Sequence, residues 1–360
     1  MNFSVNSRDF TAEIDLNDSI QIASSRKVYD VLYSNKNLEE IVKEIYVEGD
    51  FIFVDKNVFN LNPHAFQNIK NIMIFTAIED NKNIESVLKL IDELYNLKFN
   101  RKNKLIVIGG GITQDVGGFA AAICKRGLNW IFVPTTILSM TDSCIGSKVS
   151  INRNSKNMLG MFVAPSRILI SDYFLNSLSK YDIASGIGEA LKLSLIGGPT
   201  AYSYFLEQYS QKNYINVIKI ASLIKKQLIE YDEFDENDRR VLNYGHTMGH
   251  AIECTSNYFI PHGIAVLIGM YIINTLFYKD KHTDINKIIM EMVDPKFFKI
   301  EFNYDAFVQH MLSDKKNNGD NICFILLEEV GTTKFIFKNL EEIYNPLKVI
   351  IENLFYLQVL

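Results

Sequence analysis

The chain has 360 residues, 48% of them hydrophobic, and a formal net charge of -5. That length exceeds the ~250–300 residues at which single cores stop growing, so two domains are expected and a disordered chain is excluded. Lysines alternate with acids and the balance is acidic, which argues against a nucleic-acid surface. No stretch approaches the ~18 uninterrupted apolar residues of a membrane helix, and the first nine residues lack the charged-then-apolar signal pattern. No membrane association is expected. The four cysteines, Cys124, Cys144, Cys254 and Cys323, show no CxxC spacing, and the first three lie in apolar or small-residue runs, as reduced core thiols of a cytoplasmic protein do.

Residues 1–48 alternate short apolar and polar runs, predicting an edge strand and a helix over 38–46. The apolar runs 51–55 and 71–76 read as strands. Between 83 and 97, Val87, Leu88, Leu90, Ile91 and Leu94 recur at helical spacing. Residues 104–108 form a buried strand that runs directly into Gly109-Gly110-Gly111. Strands separated by helices predict a parallel sheet with helices on its faces.

The segment Gly109-Gly-Gly-Ile-Thr-Gln-Asp115-Val-Gly-Gly118-Phe119 turns from that strand into a helix ending near 125. Glycines admit close approach of a ligand to the backbone, and the helix start offers unpaired N–H groups to a pyrophosphate. The spacing is not GxGxxG, and a plain tight turn is the alternative. A strand over 130–136 follows and ends in Thr135 and Thr136, at the carboxyl edge where ligands of open α/β sheets collect. Asp142, Lys148, Lys156 and Asn157 then fall on a polar, Gly/Ser-rich loop. Two lysines beside a nucleotide turn suit an anion; solvated surface lysines are the alternative.

From 179 the pattern becomes helical, which sets the domain boundary at 178/179. The apolar helix over 182–196 carries Glu189 and Lys192, three apart and so on one face. A helix over 217–231 leads through the acidic run 232–238, read as a solvated face or cap, to Arg239. Next comes Asn243-Tyr-Gly-His246-Thr-Met-Gly-His250-Ala-Ile-Glu253, then Pro261-His262-Gly263 opening an apolar helix over 264–276. His246 and His250, four apart on a helix, have the spacing of a metal pair, and Glu189 is the first candidate for the carboxylate such a site needs. A surface Glu189–Lys192 pair is the competing reading. The turn Asp314-Lys315-Lys316…Gly319 precedes a strand over 322–327 with a hairpin partner over 334–337. The residues describe an α/β half and a helical half, hence a metal-dependent enzyme using a dinucleotide on a phosphorylated or acidic small molecule.

The ordered set Gly109-Gly-Gly111, Asp115, Gly118-Phe119, Arg126-Gly127, Pro134-Thr-Thr136, Asp142-Ser143, Lys148, Lys156-Asn157, Glu189, Lys192, Lys225, Arg239, Asn243-x-Gly-His246-Thr-x-Gly-His250 and His262-Gly263 resembles the 3-dehydroquinate synthase family of sugar phosphate cyclases, over roughly 50–330. The resemblance implies a Rossmann-like NAD-binding α/β domain over 1–178 and a mainly helical metal- and substrate-binding domain over 179–360, with the active site in the cleft. It implies zinc, or cobalt, on Glu189, His246 and His262, with His250 moved from the metal to the substrate's proton-transfer network. NAD contacts carried over are Asp55, Glu79 and Lys82 at the adenosine end, Gly110, Gly111 and Asp115 at the pyrophosphate turn, and Thr135 and Thr136. Asp142, Lys148 and Lys156 lie between cofactor and substrate. Lys148, Asn157 and one of Lys315 and Lys316 surround the substrate phosphate, with Arg126 reaching over from a second subunit of a homodimer. Lys192, Lys225, Arg239 and Asn243 bind the carboxylate and hydroxyls of this small anionic sugar phosphate.

The implied reaction converts 3-deoxy-D-arabino-heptulosonate 7-phosphate to 3-dehydroquinate and phosphate, in the shikimate pathway of aromatic amino acid biosynthesis. It proceeds by transient NAD oxidation, β-elimination of phosphate, reduction, ring opening and aldol closure, a sequence that demands positioning and charge stabilisation. Several positions depart from the family pattern. Ile264 stands where an acid is usual, Ser147 and Ser155 replace glycines, and the first fifty residues differ. Those departures keep open the sister cyclases that make 2-deoxy-scyllo-inosose, 2-epi-5-epi-valiolone or amino-dehydroquinate. A metal-dependent NAD alcohol or glycerol dehydrogenase is the rival from another class, distinguished by net NADH release.

Overall fold

The structure, a computed structural model, describes residues 2–5, 8–11, 19–25, 27–313 and 321–356. The chain divides into two compact units: Glu13–Ser179 with Lys225–Asn237, and Met1–Ala12 with Lys180–Ile224 and Asp238–Leu360. The main division therefore falls at Ser179/Lys180, and two short segments lie on the other side of it from their sequence neighbours.

The second of these units begins with a hairpin, β1 (Asn2–Val5) and β2 (Arg8–Thr11). The first unit is built on β3 (Ser19–Ala23), β4 (Val28–Ser34), β5 (Phe51–Asp55), β6 (Ile72–Phe75), β7 (Lys104–Gly109) and β8 (Asn129–Pro134). To these are added the hairpin β9 (Lys148–Arg153) and β10 (Ser155–Phe162), and β11 (Arg167–Ser171). Seven of the strands form one sheet in the order β3-β4-β11-β8-β7-β5-β6, parallel throughout except that β3 runs antiparallel to β4 at the edge. The central strands β5, β7 and β8 are buried almost end to end, the signature of a parallel sheet covered on both faces. Helices α1 (Leu38–Ile45), α2 (Lys56–Leu61), α3 (Ile84–Asn96) and α4 (Gly111–Ile123) connect them. Helix α4 lies close to the strands because Gly117 and Gly118 face them; a Cβ at either would come within 2.7 Å of Val107 or Val149.

Strand β5 connects outward to its neighbour β6, whereas β7 connects through α4 to β8 on its other side. The order therefore reverses between β5 and β7. In open α/β sheets the crevice at such a reversal, at the carboxyl ends of the strands, is where ligands bind.

The segment expected as a polar loop is the β9–β10 hairpin. Val149 and Ile151 alternate with polar residues and are buried beneath α4, so the chain has a half-buried face to lay down and pairs as a strand. The acidic run is not a solvated face. Asp232 is buried and accepts hydrogen bonds from the backbone of Glu236 and Asn237, while Glu233 accepts from Ser24 Oγ and Ser25 N.

The helical unit holds α5 (Lys180–Ile196), α6 (Pro199–Ser210), the first part of α7 (Tyr214–Tyr231), α8 (His246–Thr255) and α9 (His262–Tyr278). It continues with α10 (Thr283–Met292), α11 (Tyr304–Leu312), the hairpin β12 (Asn321–Glu329) and β13 (Thr332–Asn339), and α12 (Leu340–Phe355). Helix α9 is buried on every side from Gly263 to Met270, as a helix apolar all round must be, and it forms the centre of the unit. It begins at His262 itself, directly after Pro261.

Helix α9 meets α5 and α8 almost backbone to backbone. A Cβ on Gly263 would lie 1.8 Å from the carbonyl oxygen of Ser185 on α5, and a Cβ on Gly269 would lie 2.1 Å from that of Gly245 before α8. Gly263 N also donates to Ser185 Oγ at 3.0 Å. We expect Gly263→Ala to destabilise the protein by at least the ~1–3 kcal/mol typical of overpacking, seen as a lowered thermal midpoint. An unchanged midpoint would contradict this close approach.

Candidate functional site

In the helical unit, Gly188 and Gly263 are in direct apposition, a Cβ on the first lying 2.6 Å from the carbonyl of the second. Their sequence neighbours are Glu189 and His262, so the contact that joins α5 to α9 also joins a carboxylate to an imidazole. Gly249 packs on Val266 in the same way and brings α8, with His246 and His250, to the same place. The ring centroids of the three histidines are 5.2, 5.4 and 5.6 Å apart, and one ligand atom of each lies within 4.8 Å of the other two.

Glu189 is fully buried, and its two oxygens are differently placed. Oε2 accepts from Lys192 Nζ at 2.5 Å, itself 1% exposed, so the pair is internal and not on the surface. Among the described residues Oε1 is buried with no hydrogen-bond partner, and it lies 3.6 Å from His246 Nε2 and 3.5 Å from His262 Nε2. A buried carboxylate oxygen without a donor costs free energy, and its placement calls for a cation. Ligand bonds of ~2.0–2.2 Å in a tetrahedron put ligand atoms roughly 3.3–3.6 Å apart, which these two separations match. The opposite face of each ring is also engaged. His246 Nδ1 faces the carbonyl of Tyr244 at 3.3 Å and His262 Nδ1 faces Glu253 Oε2 at 3.1 Å, so an N–H on each Nδ1 leaves both Nε2 lone pairs toward Glu189 Oε1. The donor set fits a divalent ion. Behind His246, Tyr244 donates to Asn274 and burial raises its phenol pKa well above the usual range.

Arg239 and Asn243 lie on the short helical segment Asp238–Asn243 that leads into α8; Arg239 is buried, and Asn243 donates to the Arg240 carbonyl at 3.0 Å. Lys315 and Lys316 lie outside the described residues.

In the sheet unit, Asp55 closes β5 and Gly110–Gly111 follow β7, so the residues expected around a dinucleotide stand on both sides of the strand-order reversal. Thr135 and Thr136 continue from β8, Thr135 N donating to Gly109 O at 3.0 Å. Gly110 precedes α4 without any side-chain cap, and a Cβ on Gly111 would meet nothing nearer than Ser143 Oγ at 3.6 Å. The helix start is thus bare and approachable, as a pyrophosphate requires. Asp55 accepts from Asn57 N and Val58 N as the cap of α2, and burial raises its carboxyl pKa against those two bonds.

Lys82 and Asp115 point at each other. They pair at 2.6 Å, Lys82 also donates to Asn157 Oδ1 at 2.7 Å, and Asp115 accepts from Ser150 N at 2.8 Å. Burial raises the Asp115 pKa and Lys82 opposes the rise. Glu79 accepts from Asn152 Nδ2 at 2.8 Å. Asp142 lies within the wide helical turn Ser139–Ser143, in which Cys144 N reaches back to Ser139 O, and it accepts from Lys225 Nζ at 2.6 Å. Lys148 pairs with Asp235 at 2.5 Å, and Lys156 sits on β10. Arg126 is exposed beyond the far end of α4 from Gly111, about 20 Å away at 1.5 Å per residue, and is not brought to the glycine turn of its own chain. Cys144 is buried, and burial pushes its thiol up to about 12.

Two contributors went unassigned in the sequence. Glu253 lies seven residues after His246 and three after His250, a spacing that puts it on their helical face. Asp235 carries no such local signal, since its partner is 87 residues away.

A parallel sheet with a bare helix start at its reversal, joined in one chain to a helical unit with a Glu/His cluster, is a fold that solved sugar phosphate cyclases share. The crystal structure of 2-deoxy-scyllo-inosose synthase complexed with carbaglucose-6-phosphate, NAD+ and Co2+ matches with TM-score 0.77 at 22% identity, covering 93% of this chain and 99% of that one. The 2-epi-5-epi-valiolone synthase of Streptomyces hygroscopicus subsp. jinggangensis 5008, with NAD+ and Zn2+ bound, matches with TM-score 0.74 at 20% identity, covering 92% and 99%. In sequence, the 3-dehydroquinate synthase of Pelagibacter ubique (strain HTCC1062) is 35% identical over 347 residues, 87% of this chain and 93% of that protein. The family profiles of the 3-dehydroquinate synthase N-terminal and C-terminal parts match residues 72–185 and 186–317. The chain belongs to the 3-dehydroquinate synthase family.

Because burial raises Asp55, its charge costs stability as pH rises from the ordinary carboxyl value near ~4 through the higher folded value. Asn caps as well as Asp without that charge. Asp55→Asn should therefore gain stability relative to wild type as pH goes from about 4 to 7, measured by denaturant unfolding at both pH values. A difference independent of pH would contradict the assignment.

Proposed function

We propose that the protein is a 3-dehydroquinate synthase, converting 3-deoxy-D-arabino-heptulosonate 7-phosphate to 3-dehydroquinate and phosphate in the shikimate pathway. The observation that carries the reading is the unpartnered Glu189 Oε1 facing His246 Nε2 and His262 Nε2, in a chain 35% identical to a 3-dehydroquinate synthase over most of its length. Glu189, His246 and His262 hold zinc, or cobalt, and the turn Gly110–Gly111 with Asp55, Thr135 and Thr136 holds NAD. When bound, the ion supplies Lewis-acid stabilisation of charge on oxygen, and NAD supplies reversible hydride acceptance that leaves no net NADH.

The chain's own groups do the binding and positioning. Lys192 neutralises one oxygen of Glu189 and directs the other to the cation. His250, grouped with the two ligand imidazoles, serves proton transfer at the substrate. Arg239 offers its guanidinium to the substrate carboxylate, and Asn243 and Lys225 its amide and ammonium to hydroxyls. Lys148, Asn157 and one of Lys315 and Lys316 hold the phosphate, and Lys156 lies between cofactor and substrate. Glu79 and Lys82 serve the adenosine end and Asp115 the pyrophosphate turn, a reading supported by the Lys82–Asp115 pair that links them. Asp142 is held by Lys225. Arg126 acts in a homodimer on the substrate of the partner subunit, which its remoteness from its own glycine turn supports. Four free cysteines suit a reducing cytoplasm; no described helix is long and apolar enough to cross a membrane.

The test is incubation of metal-loaded protein with NAD and 3-deoxy-D-arabino-heptulosonate 7-phosphate, following phosphate release and dehydroquinate by mass. Turnover of sedoheptulose 7-phosphate or glucose 6-phosphate instead would overturn the reading in favour of a sister cyclase, and stoichiometric NADH release in favour of a dehydrogenase. Glu189→Gln should lose bound zinc and activity while keeping the wild-type circular dichroism spectrum; unchanged zinc content would show that Glu189 is not a ligand.

A further inference from the structure

We propose that Glu253 is a positioning residue for His262, orienting its ring and raising its strength as a metal donor from across the α8–α9 contact. The inference rests on the reading of Glu189, His246 and His262 as ligands. Glu253 Oε2 lies 3.1 Å from His262 Nδ1, and the carboxylate is 7% exposed. A neutral imidazole has one N–H; a carboxylate on the Nδ1 side draws the hydrogen there and leaves the Nε2 lone pair facing Glu189 Oε1. Carboxylate partners of this kind fix the tautomer and raise ligand basicity.

Three further observations give the contact its weight. The other ligand ring is anchored differently, since His246 Nδ1 meets a neutral carbonyl, that of Tyr244, at the longer distance of 3.3 Å. The two imidazoles are therefore unequal donors, and His262 is the stronger. Next, α9 offers no acid at the position two beyond His262: Ile264 is there and is wholly buried. The carboxylate comes instead from α8, the helix that also carries His246 and His250. Finally, a nearly buried carboxylate is costly without partners, so its place beside His262 is not that of a solvated surface group. Its backbone is fixed as well, the Glu253 carbonyl accepting from Tyr258 N at 2.9 Å in the turn that returns the chain to His262.

The experiment measures zinc affinity of the full-length protein by chelator competition. Glu253→Gln keeps the shape and removes the charge, and we expect zinc to bind about 10–100-fold more weakly. The melting temperature of the metal-free protein should be unchanged. In the His262→Ala background the same change should cause no further loss, because a positioning residue acts only through the residue it positions. Wild-type zinc affinity in folded Glu253→Gln would overturn the proposal, and so would an equal loss with and without His262. If His262→Ala alone bound zinc as wild type does, the ligand reading itself would fail, which keeps the two failures apart. Should the glutamine variant not fold, Glu253→Asp, which withdraws the carboxylate by one methylene, should shift the visible absorption of the Co2+-loaded protein; an unshifted spectrum at wild-type affinity would overturn the proposal.

Discussion

The near-contact of three helical backbones at glycine is the constraint on which the helical unit depends. Side chains of Glu and His reach only a few ångströms from their own backbones, so such side chains on three separate segments converge only if those segments nearly touch. The sequence meets this by placing Gly188 beside Glu189 and Gly263 beside His262, with Gly249 between His246 and Glu253. Packing and chemistry are thereby one feature. The helices cannot be separated by even a methyl group at Gly263 without moving the atoms that face Glu189 Oε1.

The sheet unit solves a different problem with the same economy. Its reversal of strand order between β5 and β7 opens a crevice, and the residues on the crevice's rim are also structural: Asp55 caps α2, and the backbone of Thr135 bonds to Gly109. Ion pairs between buried lysines and partly buried aspartates hold the surrounding pieces. Lys82 with Asp115 ties the chain before α3 to α4, and Lys225 with Asp142 ties α7 to the wide turn after β8. Breaking one partner of such a pair leaves an uncompensated internal charge, so these residues resist substitution whatever they bind.

Much of this was legible in the amino-acid order, and the exceptions have physical causes. The central strands and α3 announced themselves because their periodicity is strong and local. The glycine turn and the histidine helix were legible for the same reason. Glu189 and Lys192 could not be placed inside or outside from spacing alone, since an i,i+3 pair has the same geometry on any helix; burial of the whole of α5 decides it. The β9–β10 hairpin was hidden by its Ser, Asn and Lys content, although Val149 and Ile151 did alternate. The acidic run misled because its carboxylates find partners far away in sequence, at Ser24, Ser25 and Lys148. Glu253 was in plain view on the histidine face, but its importance comes from His262 arriving from another helix.

The Glu189–Lys192 pair has one more consequence, seen by counting charge. With neutral imidazoles, Glu189, Glu253 and Lys192 together carry one net negative charge in a water-poor pocket. A divalent cation changes the sum to one net positive charge, and in a low dielectric that reversal acts strongly over a few ångströms. With Glu189, His246 and His262 holding a divalent cation as proposed, the net charge of Glu189, Glu253, Lys192 and the ion is therefore opposite in sign to that of the three side chains alone.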